Sequence, residues 1–131
     1  MPAIKRPQKN MPLSPHLSVY RWQLPMVASL AHRASGMVLA LFVPVYLFLL
    51  TGLTSSPEEF SRMVDWMHAW PGSLILWLTG VALFYHMVNG IRFILLDAGW
   101  FEARDSMRLT ARVSIGAGVL AAVLLGGFLW G

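Results

Sequence analysis

Three long stretches without a charged residue constrain the fold of this chain more than any other feature. No Asp, Glu, Lys or Arg occurs in Ala34–Pro57, Trp66–Ile91 or Val113–Gly131. These stretches are 24, 26 and 19 residues long, and a helix needs about 20 apolar residues to cross the hydrocarbon core of a bilayer. The sequence therefore predicts an all-α membrane protein with three transmembrane helices, and it excludes a soluble enzyme domain.

The chain divides into a short arm and one transmembrane domain. Residues 1–25 are basic and rich in proline, and they lack the apolar segment and cleavage site of a signal peptide. Residues 26–131 form the predicted domain, with spans at about 28–53, 70–92 and 112–131. The chain has no cysteine, so disulfides and thiolate metal ligands are excluded.

The distribution of Lys and Arg predicts how the chain is oriented in the membrane. Five of these residues lie at or before Arg33, four lie between the second and third spans, and only Arg62 lies between the first and second. Because basic loops stay on the cytoplasmic side, the N-terminus is predicted inside and the C-terminus outside. The net charge of +4 therefore reports orientation, and we expect no nucleic-acid partner.

A short surface helix is predicted between the first two spans. Ser56 is a good N-cap, Pro57 suits the first helical position, and Glu59 completes the spacing of a capping box. We expect this helix to extend to about His68. Inside the second span, Trp77 is expected to pack against a neighbouring helix rather than lie at an interface.

His86 is the clearest polar residue without a simple structural reason to lie in a membrane span. It is placed about 9 Å from the inner end of the second span, among apolar neighbours. A structural histidine would hydrogen-bond another helix, whereas a functional one could be an axial ligand of haem iron. His86, Gly90, Phe93 and Asp97 share one helix face, and Gly90 leaves room there for a flat ring.

A second polar cluster lies at the inner end of the first span. Ser29, His32 and Arg33 are spaced to lie on one side of a helix, and Arg33 could simply snorkel to lipid headgroups. Alternatively, they form a pocket for haem propionates or a quinone carbonyl. By helix rise, His32 is expected about 9 Å shallower than His86.

Two motifs in the chain resemble those of a known family. Pro12–Leu17 with Ser29–Gly36 resembles the N-terminal signature of the cytochrome b subunit of succinate dehydrogenase, the membrane anchor of respiratory complex II. His86–Phe93, continuing to Asp97–Gly99, resembles its second signature. Two positions depart from the usual pattern, since Met11 stands where arginine is common and Phe93 where a second histidine is common.

The resemblance implies roles for four residues. His86 corresponds to one axial ligand of the haem iron, His32 and Arg33 lie by the haem propionates, and Ser29 and Arg33 contribute to the ubiquinone site. The haem b would be shared with a second small membrane subunit that supplies the other axial ligand. An iron–sulfur subunit and a flavoprotein subunit complete the implied complex, and succinate is oxidised on the flavoprotein, so this chain carries no catalytic residue for that step.

The sequence is compatible with other functions as well. The same pattern suits the anchor of a fumarate reductase, a structural anchor without haem, or a small transporter subunit with His86 in a proton path. We expect a multi-pass protein of the bacterial inner membrane rather than of the mitochondrial inner membrane.

The predicted orientation is testable with a reporter. Alkaline phosphatase fused to the C-terminus should be active, because the charge distribution places that end outside the cytoplasm. A fusion after Arg104, in the basic segment before the third span, serves as the control and should be inactive. An inactive C-terminal fusion together with an active fusion after Arg104 would contradict the predicted topology.

Overall fold

The computed structural model describes residues 22–131, so most of the predicted arm and His16 lie outside the described residues. Within this range the chain is helical and has no β-strand. Three of the helices are long and apolar enough to cross a membrane, which confirms the predicted fold class. In chain order the helices are α1 (Leu24–Ser55), α2 (Pro57–His68), α3 (Trp70–Asp97) and α4 (Arg104–Trp130).

Proline begins three of the helices. Pro25, Pro57 and Pro71 each lie in the first turn of a helix, where the missing N–H costs nothing because that group has no partner within the helix. At α2 the Ser56 hydroxyl accepts a hydrogen bond from the Glu59 backbone N–H at 3.2 Å. This confirms the predicted N-cap and the short helix that ends at His68.

The C-terminal end of α3 is closed by a glycine turn. Gly99 has a φ of 82°, a conformation that costs a glycine little. Its N–H donates to the carbonyl of Leu96, and the N–H of Trp100 donates to that of Leu95. Such a turn satisfies carbonyls that the helix end leaves unpaired. It lets the chain turn back within a few residues, so that α4 begins at Arg104 and packs against α3.

The α3–α4 pair is held by tryptophans and by one close approach. Trp77 Nε1 donates to the carbonyl of Ala122 at 2.8 Å, which confirms the predicted packing role. Trp130 Nε1 donates to the Ser73 hydroxyl at 3.1 Å near the outer ends of the two helices. A Cβ atom on Gly118 would lie 2.8 Å from the Tyr85 ring, so this position of α4 needs glycine.

The helices are longer than a bilayer core requires. α1, α3 and α4 contain 32, 28 and 27 residues, which corresponds to about 40–48 Å against a hydrocarbon core of about 30 Å. They therefore continue into the headgroup regions, and the exact span boundaries stay predictions. Along α1, large apolar side chains such as Met37, Leu41 and Phe48 are exposed, so lipid or further helices must cover them.

Candidate functional site

Side chains of α3 bind the backbone of α1 through one buried carbonyl. The Tyr85 hydroxyl and Asn89 Nδ2 each donate to the carbonyl oxygen of Ala28 at 2.9 Å. Ala28 and Asn89 are fully buried. Because the membrane interior offers no water to polar groups, such bonds between helices define where α1 lies on α3. One turn further along α1, the same face carries His32.

His86 is bound to α1 through one ring nitrogen. Its Nδ1 lies 3.2 Å from the carbonyl oxygen of His32 and 3.1 Å from the Ser35 hydroxyl. The Ser35 hydroxyl donates to that same carbonyl at 2.7 Å, so its oxygen is free to accept from Nδ1. A carbonyl oxygen can only accept, and these contacts therefore place the proton on Nδ1. In the neutral imidazole, Nε2 then carries the lone pair that a metal ion needs.

His32 lies flat against His86. The two rings are stacked with centroids 4.0 Å apart and planes 15° apart, and the centroid of the tilted Phe93 ring lies 5.2 Å from that of His32. His32 Nε2 is buried and has no hydrogen-bond partner in the described part of the chain. A Cβ atom on Gly36 would lie 3.0 Å from His86 Cε1, and one on Gly90 would lie 3.6 Å from His32 Nε2. The two glycines thus leave room for the paired rings.

The contact between His32 and His86 corrects the expected difference in depth. The charged residues Arg33 and Arg92 do not mark the ends of the two helices, because α1 begins at Leu24 and α3 continues to Asp97. Measured from these inner ends, His32 lies about 12 Å and His86 about 16 Å along its helix. The two residues therefore meet at nearly the same level.

Ser29 and Arg33 lie on a different side of α1 from His32. Together with Trp22, Pro25, Met26 and Leu30 they line a groove of about 430 Å³ at the N-terminal end of the helix. His32 does not line this groove, because its ring is stacked on His86 of α3 instead. The structure thus brings Ser29 and Arg33 together as expected. It separates the predicted cluster into a groove and a histidine pair.

Sequence reasoning gave no role to Ser35, Tyr85 or Asn89. Ser35 and Asn89 stand three residues after His32 and His86, a spacing that places them near those histidines on the helix surface. Asn89 and Tyr85 are also polar residues within a charge-free span, and such residues mark contacts or sites as His86 does. That signal was present, but the acceptor on α1 could not be identified without the structure.

Within the described part of the chain, the histidine pair does not belong to a larger cluster of metal-binding side chains. Residues 22–131 contain no group of three or more His, Cys, Asp or Glu side chains that could hold a metal ion. His68 lies on α2, where its Nδ1 is 2.8 Å from the carbonyl oxygen of Val64. A metal ion at His86 would therefore need most of its ligands from elsewhere.

The fold and the site define a multi-pass helical membrane protein with a histidine pair between two of its helices. The chain belongs to the succinate dehydrogenase/fumarate reductase transmembrane subunit family, whose sequence model matches residues 7–126.

Named relatives agree with this family. The chain is 34% identical over 116 residues to the succinate dehydrogenase cytochrome b556 subunit of Paracoccus denitrificans, covering 88% of each chain. It is 29% identical over 121 residues to the protein of the same name from Coxiella burnetii, covering 91% of this chain and 96% of the relative. The mitochondrial cytochrome b560 subunit of Mus musculus is 38% identical over 98 residues, covering 72% of this chain and 57% of the relative.

The Ala28 carbonyl contact is testable by substitution. Asn89→Ala should lower the free energy of unfolding by about 1–2 kcal/mol more than Thr79→Ala, because Asn89 links two helices. Thr79 is a matched control, since it is buried on α3 but bonds only to Ile75 of its own helix. Unfolding of the purified protein in detergent, followed by circular dichroism, measures both. Equal losses would show that the contact does not join the helices.

Proposed function

We propose that this chain is the haem b- and quinone-binding membrane anchor of a succinate dehydrogenase, and that it passes electrons from succinate oxidation to ubiquinone. Membership of the family and the names of its relatives support the assignment to that complex. The observation that carries the haem assignment is the bond of His86 Nδ1 to the His32 carbonyl, which leaves Nε2 for iron.

The residues present fit a haem. Iron-binding histidines commonly donate their other ring N–H to a backbone carbonyl, which fixes the ring and strengthens the ligand. His86 has this arrangement, and the Ser35 hydroxyl adds a second acceptor. A porphyrin would supply four nitrogen ligands itself, so His86 would not need a cluster of three or more metal-binding side chains, and none occurs in residues 22–131. When bound, the haem supplies a centre for one-electron transfer.

His32 and Arg33 are proposed to hold the haem propionates. His32 Nε2 is buried and unpaired in the described residues, so a carboxylate would give it the partner it lacks. Arg33 is exposed one residue further on and carries a permanent positive charge. In the structure Arg33 lines the groove with Ser29, and its propionate role is therefore supported by the resemblance rather than by this geometry.

The second axial ligand is proposed to come from another small membrane subunit. His32 stacks directly on His86, so no space for a porphyrin separates the two rings. His68 lies on α2, where its ring contacts the carbonyl oxygen of Val64 in the same helix. The exposed apolar surface of α1 offers room for such a partner. A haem held between two subunits would also help to hold them together.

Ser29 and Arg33 are proposed to bind the quinone head. Both can donate hydrogen bonds to a carbonyl oxygen, and the guanidinium can stabilise negative charge that develops on reduction. Their groove lies at the inner end of α1, and Trp22, Met26 and Leu30 give it an apolar wall suited to a ring and its tail. The groove lies at the end of the membrane domain where most Lys and Arg residues are found, which is the predicted cytoplasmic side.

The rest of the complex is proposed to dock on that inner side. An iron–sulfur subunit would deliver electrons near the groove, and a flavoprotein subunit would oxidise succinate away from the membrane. The bacterial relatives that the chain covers almost fully favour the bacterial inner membrane as its location. The family also includes fumarate reductase subunits, but the relatives compared are named as succinate dehydrogenase subunits.

Variants of the histidine pair test the haem assignment. In the complex, His86→Leu should disturb the low-spin haem b spectrum, because it removes the proposed iron ligand, and the double variant with His32→Leu should abolish it. His32 lies 4.0 Å away and could replace the lost imidazole, so His86→Leu is also combined with His32→Leu. His68→Leu, on α2, is the control and should keep the spectrum. A low-spin spectrum unchanged in the double variant would refute the assignment.

Quinone binding is tested by comparing two assays. Ser29→Ala and Arg33→Leu should each reduce succinate–ubiquinone turnover by about ten-fold. This is the loss expected when one hydrogen bond to a group that carries or develops charge is removed. Succinate oxidation with a soluble dye should be unchanged. Ser61→Ala and Arg62→Leu make the same replacements on α2 and serve as controls. An equal loss of dye activity would indicate defective assembly and remove the support for the groove.

A further inference from the structure

Arg92 is buried between α3 and α4 without a complete set of partners. Only 6% of the residue is exposed. Its Nε donates to the Thr110 hydroxyl at 3.1 Å, and Nη2 donates to the carbonyl of Met107 at 3.4 Å. The remaining nitrogen, Nη1, is buried and has no hydrogen-bond partner among the described residues. The Phe93 ring, 5.4 Å from the guanidinium carbon, attracts the cation only weakly.

No carboxylate of the described chain neutralises this charge. Among residues 22–131 the ion pair that forms is Arg62–Glu59, on α2. The acidic residues near the inner side, Asp97, Glu102 and Asp105, are exposed and do not pair with Arg92. Burying a cation without an anion is costly, so the surroundings of Arg92 are suited to an anion from outside the chain.

An apolar groove adjoins Arg92 on the side of the two helices. It has a volume of about 240 Å³ and is walled largely by Val88, Ile91, Leu95, Leu109 and Val113. Ile91 and Val113 are themselves exposed, so the groove opens outward between α3 and α4. Arg92 lies five residues before the end of α3, which is about 7.5 Å along the helix and close to the headgroup region of a bilayer.

We propose that Arg92 and this groove bind an anionic phospholipid, with the phosphate at the guanidinium and an acyl chain along the apolar wall. A free inorganic anion could neutralise the charge of Arg92, but it has no apolar part to fill the groove. An acidic segment of a soluble subunit would bring polar backbone groups that an apolar groove cannot satisfy. Basic sites between membrane helices on the cytoplasmic side are suited to anionic lipids in this way. The site is separate from the histidine pair, because Arg92 contacts α4 whereas His86 contacts α1.

Lipid titration of the purified complex tests the proposal. The complex is freed of lipid in neutral detergent and titrated with dioleoylphosphatidylglycerol, dioleoylphosphatidylcholine or inorganic phosphate. Native mass spectrometry measures the affinity of the most tightly bound lipid. Arg92→Gln should weaken phosphatidylglycerol binding by about ten-fold, the effect expected for one hydrogen bond to a charged group. Arg62→Gln, which removes the same charge from α2, should bind as the parent does. Phosphatidylcholine should bind more weakly, and inorganic phosphate should not displace the lipid.

A second variant tests the groove while Arg92 is retained. Val113→Trp places a large ring in the wall at an exposed position, so it should weaken phosphatidylglycerol binding even if Arg92→Gln fails to assemble. Unchanged lipid affinity in this variant would overturn the proposal. So would displacement of the lipid by inorganic phosphate, which would indicate a simple anion site. Loss of the soluble subunits from Arg92→Gln with unchanged lipid affinity would assign the missing anion to a protein carboxylate instead.

Discussion

The structure depends on two backbone carbonyls of α1 that accept hydrogen bonds from side chains of α3. The carbonyl of Ala28 accepts from Tyr85 and Asn89, and the carbonyl of His32, one turn later, accepts from His86. In a membrane, apolar side chains pack nearly as well against lipid as against another helix, so packing alone defines the contact poorly. These directed bonds therefore set both the rotation and the level of α1 on α3.

This alignment separates two sites on one helix. His32 faces α3 and stacks on His86, while Ser29 and Arg33 face outward and line the groove at the inner end. A change in the rotation of α1 would move both sites at once. The proposed haem site and the proposed quinone site therefore depend on the same packing of α1 on α3. The hydrogen bonds of Tyr85 and Asn89 to the Ala28 carbonyl stabilise this packing, although these residues belong to neither site.

The sequence predicted the features that depend on local patterns. Charge-free lengths indicated three membrane helices, and the spacing of Ser56, Pro57 and Glu59 indicated α2, because capping and hydrophobic length are properties of adjacent residues. The pairing of His32 with His86 was not predicted, since the offset between two helices depends on contacts remote in sequence. Arg92 was treated as a loop charge, but it lies within α3 and bonds to α4.

The position of the proton on His86 tests the central claim most directly. Nitrogen NMR of the haem-free chain in detergent, labelled with ¹⁵N-histidine and assigned by comparison with His86→Leu, distinguishes protonated from unprotonated ring nitrogens. If the carbonyl of His32 holds the ring as the structure indicates, the neutral imidazole is protonated at Nδ1 and unprotonated at Nε2. A neutral ring protonated at Nε2 would show that this nitrogen is not held ready for iron, and would contradict the account.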